Sequence, residues 1–187
     1  SHRSGKTSGS AGVGRPSTDC GPWEGCLVRA TGGRGSGRSL LAVLYLDTSA
    51  FLKLYIREPG SEQVQTMVAG QPEPLPVWEI LEMELGNALN LKIFRGELED
   101  SAAAYQYSLF RQRQAKAFYF VPEIQRAQLM ADFRQLSRLT PRLGCRTMDI
   151  LHVACAMQLR PKAFLTFDHR QRELAKIADA FAVPEFE

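Results

Sequence analysis

Two short apolar runs that each end in an aspartate constrain this chain more than any other feature of its sequence. AVLYL at residues 42–46 stops at Asp47, and AFLTF at residues 163–167 stops at Asp168. Continuous apolar runs of this length are what strands buried on both faces look like. Between them, strand-like and helix-like segments alternate. A helix is expected from Asp47 or Thr48, either of which can cap it, to about Ile56, and another from Ser61 to near Gly70. A strand is expected over Leu75–Trp78, then helices over Glu79–Phe94 and Glu97 to about Lys116. Ala117–Val121 gives a third strand, stopped by Pro122, and Ile124–Leu139 a further helix. Pro141–Arg146 reads as a loop and Thr147 as the cap of a helix over Met148–Leu159. After the fourth strand comes a helix over Arg170–Ala178, and Phe181–Val183 is placed as an edge strand cut off by Pro184. Such alternation points to an α/β class, with a mostly parallel central sheet covered on both sides. Ligands of these sheets sit at the carboxyl ends of the strands, where Asp47 and Asp168 fall.

Composition matters mainly because it is uneven. Residues 1–40 hold 10 of the 15 glycines and six basic residues against two acidic, leaving 17 basic and 18 acidic residues for 41–187. The positive net charge therefore belongs to the tail, which reads as a disordered or non-native appendage to a domain at 41–187. Overall charge is no argument for nucleic-acid binding here. Ser4-Gly5-Lys6-Thr7 has the look of a phosphate-loop end, but the first glycine of that motif would fall before residue 1 and no apolar strand leads in. No apolar stretch approaches the roughly 18 residues of a membrane span, and no signal-like segment is present, so a cytoplasmic location is expected. Cys20, Cys26, Cys145 and Cys155 have no zinc-ligand spacing and are expected to be reduced.

The chemistry is carried by acids in apolar surroundings. Glu84 interrupts the helical stretch MELGNAL at 83–89, and Asp149 sits in the first turn of the apolar helix MDILHVACA at 148–156. Each has an ordinary reading: Asp47 as a helix cap, Asp149 as first-turn dipole stabilisation, Glu84 as one of three acids with Glu79 and Glu82 on a solvated face. Brought together in one cleft, four carboxylates without adjacent cations would repel one another, and a divalent cation relieves that. Oxygen-only donors suit a hard ion, Mg²⁺ or Mn²⁺, and the implied chemistry is metal-assisted hydrolysis of a phosphodiester.

The set LYLDTSA at 44–50, ELGNAL at 84–89, DILHVA at 149–154 and LTFD at 165–168 resembles the PIN domain, and within it the VapC-type toxin ribonucleases, over residues 43–183. The resemblance implies a three-layer α/β/α sandwich and makes Asp47, Glu84, Asp149 and Asp168 the metal-binding acids. It places the hydroxyls of Thr48, Ser49 and Thr166 near the metal or its waters. It further implies a homodimer, cleavage of single-stranded RNA, and inhibition by a cognate antitoxin protein. Glu84 is chosen for the middle acid because it directly precedes Leu-x-Asn-Ala-Leu, with Glu82 as the substitute. A basic tail is not part of the family pattern.

Other readings fit less well. His152 with Ser49 and an aspartate lacks the elbow of a nucleophilic serine, and His152 is spaced as a core residue of its helix. A phosphatase whose nucleophilic aspartate follows the first strand needs a second aspartate where Ser49 stands. The main competitor is a PIN-like module that binds RNA or protein without cutting. Arg57, Lys92, Arg95, Arg111, Arg113, Arg146 and Arg170 are candidates for holding RNA, with Arg146 and Arg170 nearest the acids. Trp78, Tyr105, Tyr107, Phe118 and Tyr119 are more at home in a core than stacked on bases.

Overall fold

β1 (Leu44–Leu46) is buried along its whole length, as its unbroken apolar run requires, and pairs in parallel with β4 (Ala163–Leu165). Leu44 lies opposite Ala163, Tyr45 opposite Phe164 and Leu46 opposite Leu165. A second parallel ladder joins β2 (Leu75–Pro76) to β3 (Tyr119–Phe120). This computed structural model describes residues 43–186. The sequence expectations for residues 1–42, the tail and its phosphate-loop-like tetrad, lie outside the described residues.

β1 and β2 are neighbours without a continuous ladder, and the sequence supplies the reason. Leu75 and Val77 direct their N–H groups to β3, at Phe118 O and Phe120 O, so the position that alternates toward β1 is Pro76, which has no N–H. The buried side chain of Gln71 bridges the gap: its Oε1 accepts from Leu44 N at 2.6 Å while its Nε2 donates to Glu73 O. On the far side, the expected edge strand at 181–183 is reduced to one parallel bridge between Ala163 and Ala182.

Helices complete the α/β/α arrangement. One group comprises α1 (Thr48–Leu52), α3 (Glu79–Phe94) and α4 (Asp100–Ala115). The other comprises α5 (Arg126–Ser137), α7 (Thr147–Leu159), α8 (His169–Ala178) and the short α6 (Thr140–Leu143), while α2 (Ser61–Ala69) follows α1. α6 corrects the first half of the loop expected over 141–146, while 144–146 remain without regular structure. Pro141 sits in its first turn, where proline costs nothing because that N–H has no helical partner. α7 starts at Thr147 itself, with Arg146 in the capping position, rather than being capped by Thr147.

The core is contiguous and rich in rings. Phe51, Phe110 and Tyr119 pack together with centroids 5.4–6.1 Å apart, and the hydroxyls of Tyr55 and Tyr119 are hydrogen-bonded. Full burial of each such ring stabilises the fold by about 1.5–3 kcal/mol. Cys145 and Cys155 are free and buried, and burial pushes the Cys155 thiol up to about 12, which leaves it unreactive. Among the described residues, no helix is long and apolar enough to cross a membrane.

Candidate metal and nucleic-acid site

Asp47 N donates to Leu165 O at 3.1 Å, the last rung between β1 and β4, and both chains turn away from the sheet at that point. Asp47 becomes the N-cap of α1, its Oδ1 accepting from Ala50 N at 2.8 Å, so the ordinary reading of this residue is also true. More donors converge on the same carboxylate. Ser49 Oγ lies 2.8 and 2.9 Å from its two oxygens, and Thr166 Oγ1 lies 2.7 Å from Oδ2. Burial raises the Asp47 carboxyl above the usual aspartate range, partly opposed by His152 and by these hydrogen bonds. A plain surface cap has no need of such a setting.

The residues after β4 are tied into the same knot. Thr166 Oγ1 is 2.8 Å from Gln171 Oε1 as well as close to Asp47, and a hydroxyl has one proton, so it donates to one of the two at a time. It also accepts from Asp168 N at 3.0 Å, while Phe167 N donates to Ser49 Oγ at 2.8 Å. Asp168 is exposed at the rim and caps α8 through Gln171 N at 2.9 Å. Gln171 reaches on to Asp149 O at 3.2 Å, which links the start of α8 to the first turn of α7.

Asp149 is the third residue of α7, and its Oδ2 accepts from Arg146 N at 2.6 Å, a capping contact. Burial raises its carboxyl, and the negative charge of Asp168 adds to the rise against the opposing Arg146 N–H. The two acids are thus close enough to repel. Glu84 projects from α3 to the same edge, where its Oε2 accepts from Thr48 Oγ1 and bonds His152 Nε2, each at 2.6 Å. Burial alone would raise Glu84, but the hydrogen bonds from His152 and the Thr48 hydroxyl hold it below the usual range.

The middle acid is separated from its neighbours by direction. Glu82 faces α4, where Tyr107 Oη and Arg111 Nη1 bond its Oε1 at 3.2 and 2.8 Å, whereas Glu84 meets Thr48 and His152. His152 was expected as core. It is 2% exposed, yet it also bonds Glu84 through Nε2 and Tyr45 Oη through Nδ1 at 2.9 Å. Helical spacing signals burial but carries no sign of a polar partner, so the sequence alone could not raise this residue to the site. Ser49 is turned to Asp47 and Phe167 N, so it does not pair with His152 as a nucleophile would.

These donors fit a hard cation. All four acids supply oxygen, and Glu84, Asp149 and Asp168 each commit one oxygen to a protein donor and, among the described residues, leave the other without one. Among the described residues, no three histidine, cysteine or acidic side chains are gathered closely enough to ligate one ion directly. Mg²⁺ tolerates that spacing, because it is usually held by one or two carboxylates with water at its remaining positions.

The cations divide. Arg113 is corrected from a candidate RNA contact to a core residue: it is 3% exposed, with its guanidinium 4.9 Å from the Tyr55 ring. Lys92 is held between Glu58 and Glu97, Arg57 by Glu62, and Arg111 by Glu82. Arg95 and Arg146 are exposed, and the exposed Arg170 sends Nη1 to Gly144 O at 3.1 Å. Of the aromatic residues, Trp78 and Tyr119 are buried, Phe118 is half-buried, Tyr107 is bonded to Glu82, and Tyr105 is exposed.

The family model of the PIN domain matches residues 44–177, which includes every acid of this edge. Ribonuclease VapC47 of Mycobacterium tuberculosis (strain CDC 1551 / Oshkosh) is 26% identical over 140 residues, covering 68% of this chain and 86% of the relative. With the parallel strands of an α/β fold and a family match over more than half of its length, the chain belongs to the PIN domain family.

Proposed function

We propose that this protein is a divalent-metal-dependent endoribonuclease that cleaves single-stranded RNA, and that it is the toxin of a toxin–antitoxin pair. The observation that supports the reading is the placement of Asp47 and Asp168 at the ends of β1 and β4, tied together by Thr166, with Glu84 bonded to Thr48 next to Asp47 and Asp149 linked to α8 through Gln171; among the described residues, Glu84, Asp149 and Asp168 each keep an oxygen free of protein donors. A relative named as a ribonuclease supports the RNA substrate.

In this reading Glu84, Asp149 and Asp168 would hold Mg²⁺ or Mn²⁺, one or two of them directly and the rest through its waters, and Asp47 completes the negative cleft. The bound ion supplies an activated water and stabilises charge on the phosphodiester. Thr48, Ser49 and Thr166 orient the carboxylates: Thr48 holds Glu84, and Ser49 with Thr166 holds Asp47. Arg146 and Arg170, exposed beside Asp149 and Asp168, attract the RNA backbone.

A homodimer and an inhibitory antitoxin belong to the same proposal. α3 leaves Met83 64% and Phe94 87% exposed, apolar surface that a protein partner would cover. An antitoxin arginine or lysine turned toward the acids would form charge-assisted bonds in place of the metal.

The test is incubation of the partner-free chain with single-stranded and folded RNAs, with and without Mn²⁺ or Mg²⁺, beside Asp47→Asn and Asp149→Asn. Metal-dependent cutting lost in both variants is the expected result. No cutting by wild type, together with no metal bound in calorimetry, would replace this reading with a non-catalytic binding module.

A further inference from the structure

His152 is the one buried polar residue of α7, and the surroundings that bury it also fix its orientation. The Tyr45 ring meets it edge-on with centroids 5.9 Å apart, and the Trp78 ring meets it edge-on at 5.8 Å. Tyr45 is itself stacked on Phe164 from the paired strand, with centroids 5.3 Å apart and planes within 10°. The imidazole is therefore held by three elements: β1, α7 on which it stands, and the residue preceding α3.

The partners assign its proton. Nε2 faces Glu84 Oε2 at 2.6 Å, and a bare ring nitrogen there would oppose a carboxylate lone pair, so Nε2 carries hydrogen and donates. In the neutral ring Nδ1 is then the acceptor, and Tyr45 Oη at 2.9 Å donates to it. Thr48 Oγ1 donates to the same Glu84 oxygen at 2.6 Å. Both donors thus occupy Oε2 and, among the described residues, leave Oε1 without a protein donor.

We propose that His152, with its tautomer fixed by Tyr45, is a positioning residue for Glu84, turning Oε1 of that carboxylate to the metal. The inference rests on the reading of Glu84 as a metal-binding acid and extends it to residues that touch neither ion nor RNA. Partners of this kind typically change metal affinity or activity by about 10–100-fold when removed.

The experiment is calorimetric titration of Mn²⁺ into the full chain, with thermal unfolding of each variant recorded in parallel. His152→Leu is expected to weaken Mn²⁺ binding by about 10–100-fold. His152→Gln, which returns an amide N–H near the Nε2 position, is expected to recover most of that loss. Tyr45→Phe is expected to weaken binding in the wild-type background and to have no further effect beside His152→Leu, because on this proposal its hydroxyl reaches Glu84 by way of the imidazole. Wild-type Mn²⁺ affinity in His152→Leu, or an equal cost of Tyr45→Phe in both backgrounds, overturns the proposal. Should His152→Leu fail to fold, Tyr45→Phe and His152→Gln decide: unchanged affinity in Tyr45→Phe overturns it, and weakened binding there with retained binding in His152→Gln supports it. Glu84→Gln separates the two levels. Binding by wild type that is lost in Glu84→Gln but kept in His152→Leu defeats this inference alone, whereas a wild type that binds no Mn²⁺ defeats the metal-site reading and this inference together.

Discussion

Thr166 Oγ1 lies 2.7 Å from Asp47 Oδ2, joining the ends of β4 and β1 across 119 positions of sequence. The same oxygen accepts from Asp168 N, so one threonine hydroxyl holds both aspartates that terminate the apolar strands. Thr166 is wholly buried, and no solvent replaces its bonds if they are removed.

Thr166→Val keeps the shape and deletes the hydroxyl, leaving a buried carboxylate oxygen and a backbone N–H each short of a partner. A destabilisation of about 1–3 kcal/mol is expected, together with a fall in RNA cleavage. Thr166→Ser should recover both. Urea unfolding and a cleavage assay on the three proteins check this, and a valine variant as stable and active as wild type would refute it.

Asp47 and Glu84 should respond to pH with opposite signs in the metal-free protein. Asp47 is raised chiefly by burial, so the folded state holds its proton more tightly than the unfolded chain does. Its ionisation costs stability as pH climbs from the ordinary aspartate value, about 4, through the raised one. Asp47→Asn is therefore expected to be more stable than wild type at neutral pH, with the advantage fading in acid. Burial also opposes ionisation of Glu84, but His152 and Thr48 outweigh it and its net shift is downward. It contributes stability above the ordinary glutamate value that disappears as pH falls through the lowered one, so Glu84→Gln should be less stable at neutral pH and equal to wild type in strong acid. Urea midpoints between pH 3 and 8 measure both. Differences of the same sign would contradict the account.

Arg146 offers an exposed charge three residues before Asp149, with its backbone N–H rather than its side chain used for capping. Arg146→Ala should weaken single-stranded RNA binding across sequences and lower the slope of log affinity against log salt by about 0.7, the loss of one phosphate contact. Thermal stability should be unchanged. Equal affinity and slope in filter binding or anisotropy would remove Arg146 from the RNA path.

What could be read in advance follows from which forces are local. Asp47 and Asp168 were legible because an acid ending a buried strand must lie at the sheet's carboxyl edge, and Asp149 because the apolar helix around it leaves few places for a charge. Glu84 needed the family resemblance, since Glu79, Glu82 and Glu84 lie within six residues and periodicity does not choose among them. The structure separates Glu82 from Glu84 through Tyr107 and Arg111 on α4. His152 is buried as its spacing implies, but its partners were not legible, and Arg113 was misplaced on the surface, for one reason: a buried polar side chain depends on a partner far away in sequence, Glu84 and Tyr45 for the histidine and the Tyr55 ring for the arginine. β2 forms a ladder with β3 and none with its other neighbour β1, because Pro76 cannot donate toward β1.

Gly60 and Gly96 separate backbone strain from steric pressure on the site. Both have positive φ, +86° and +69°, and alanine at either pays about 1–2 kcal/mol for the left-handed conformation. At Gly96 a Cβ would meet open space, whereas at Gly60 it would lie 2.4 Å from Phe167 Cε1 and 2.6 Å from Cζ. Phe167 has little room to retreat, being stacked on Phe186 at 4.6 Å and covered by the Lys53 ammonium at 4.3 Å. Its displacement would pull Phe167 N from Ser49 Oγ and shift the neighbouring Asp168. Gly96→Ala is therefore expected to lose stability by the backbone cost alone and to cleave RNA at the wild-type rate. Gly60→Ala should lose more stability and also cleave more slowly. Side-by-side urea melts and cleavage rates decide it, and two variants that are equally destabilised and equally active would show that Phe167 does not transmit the clash to the acids.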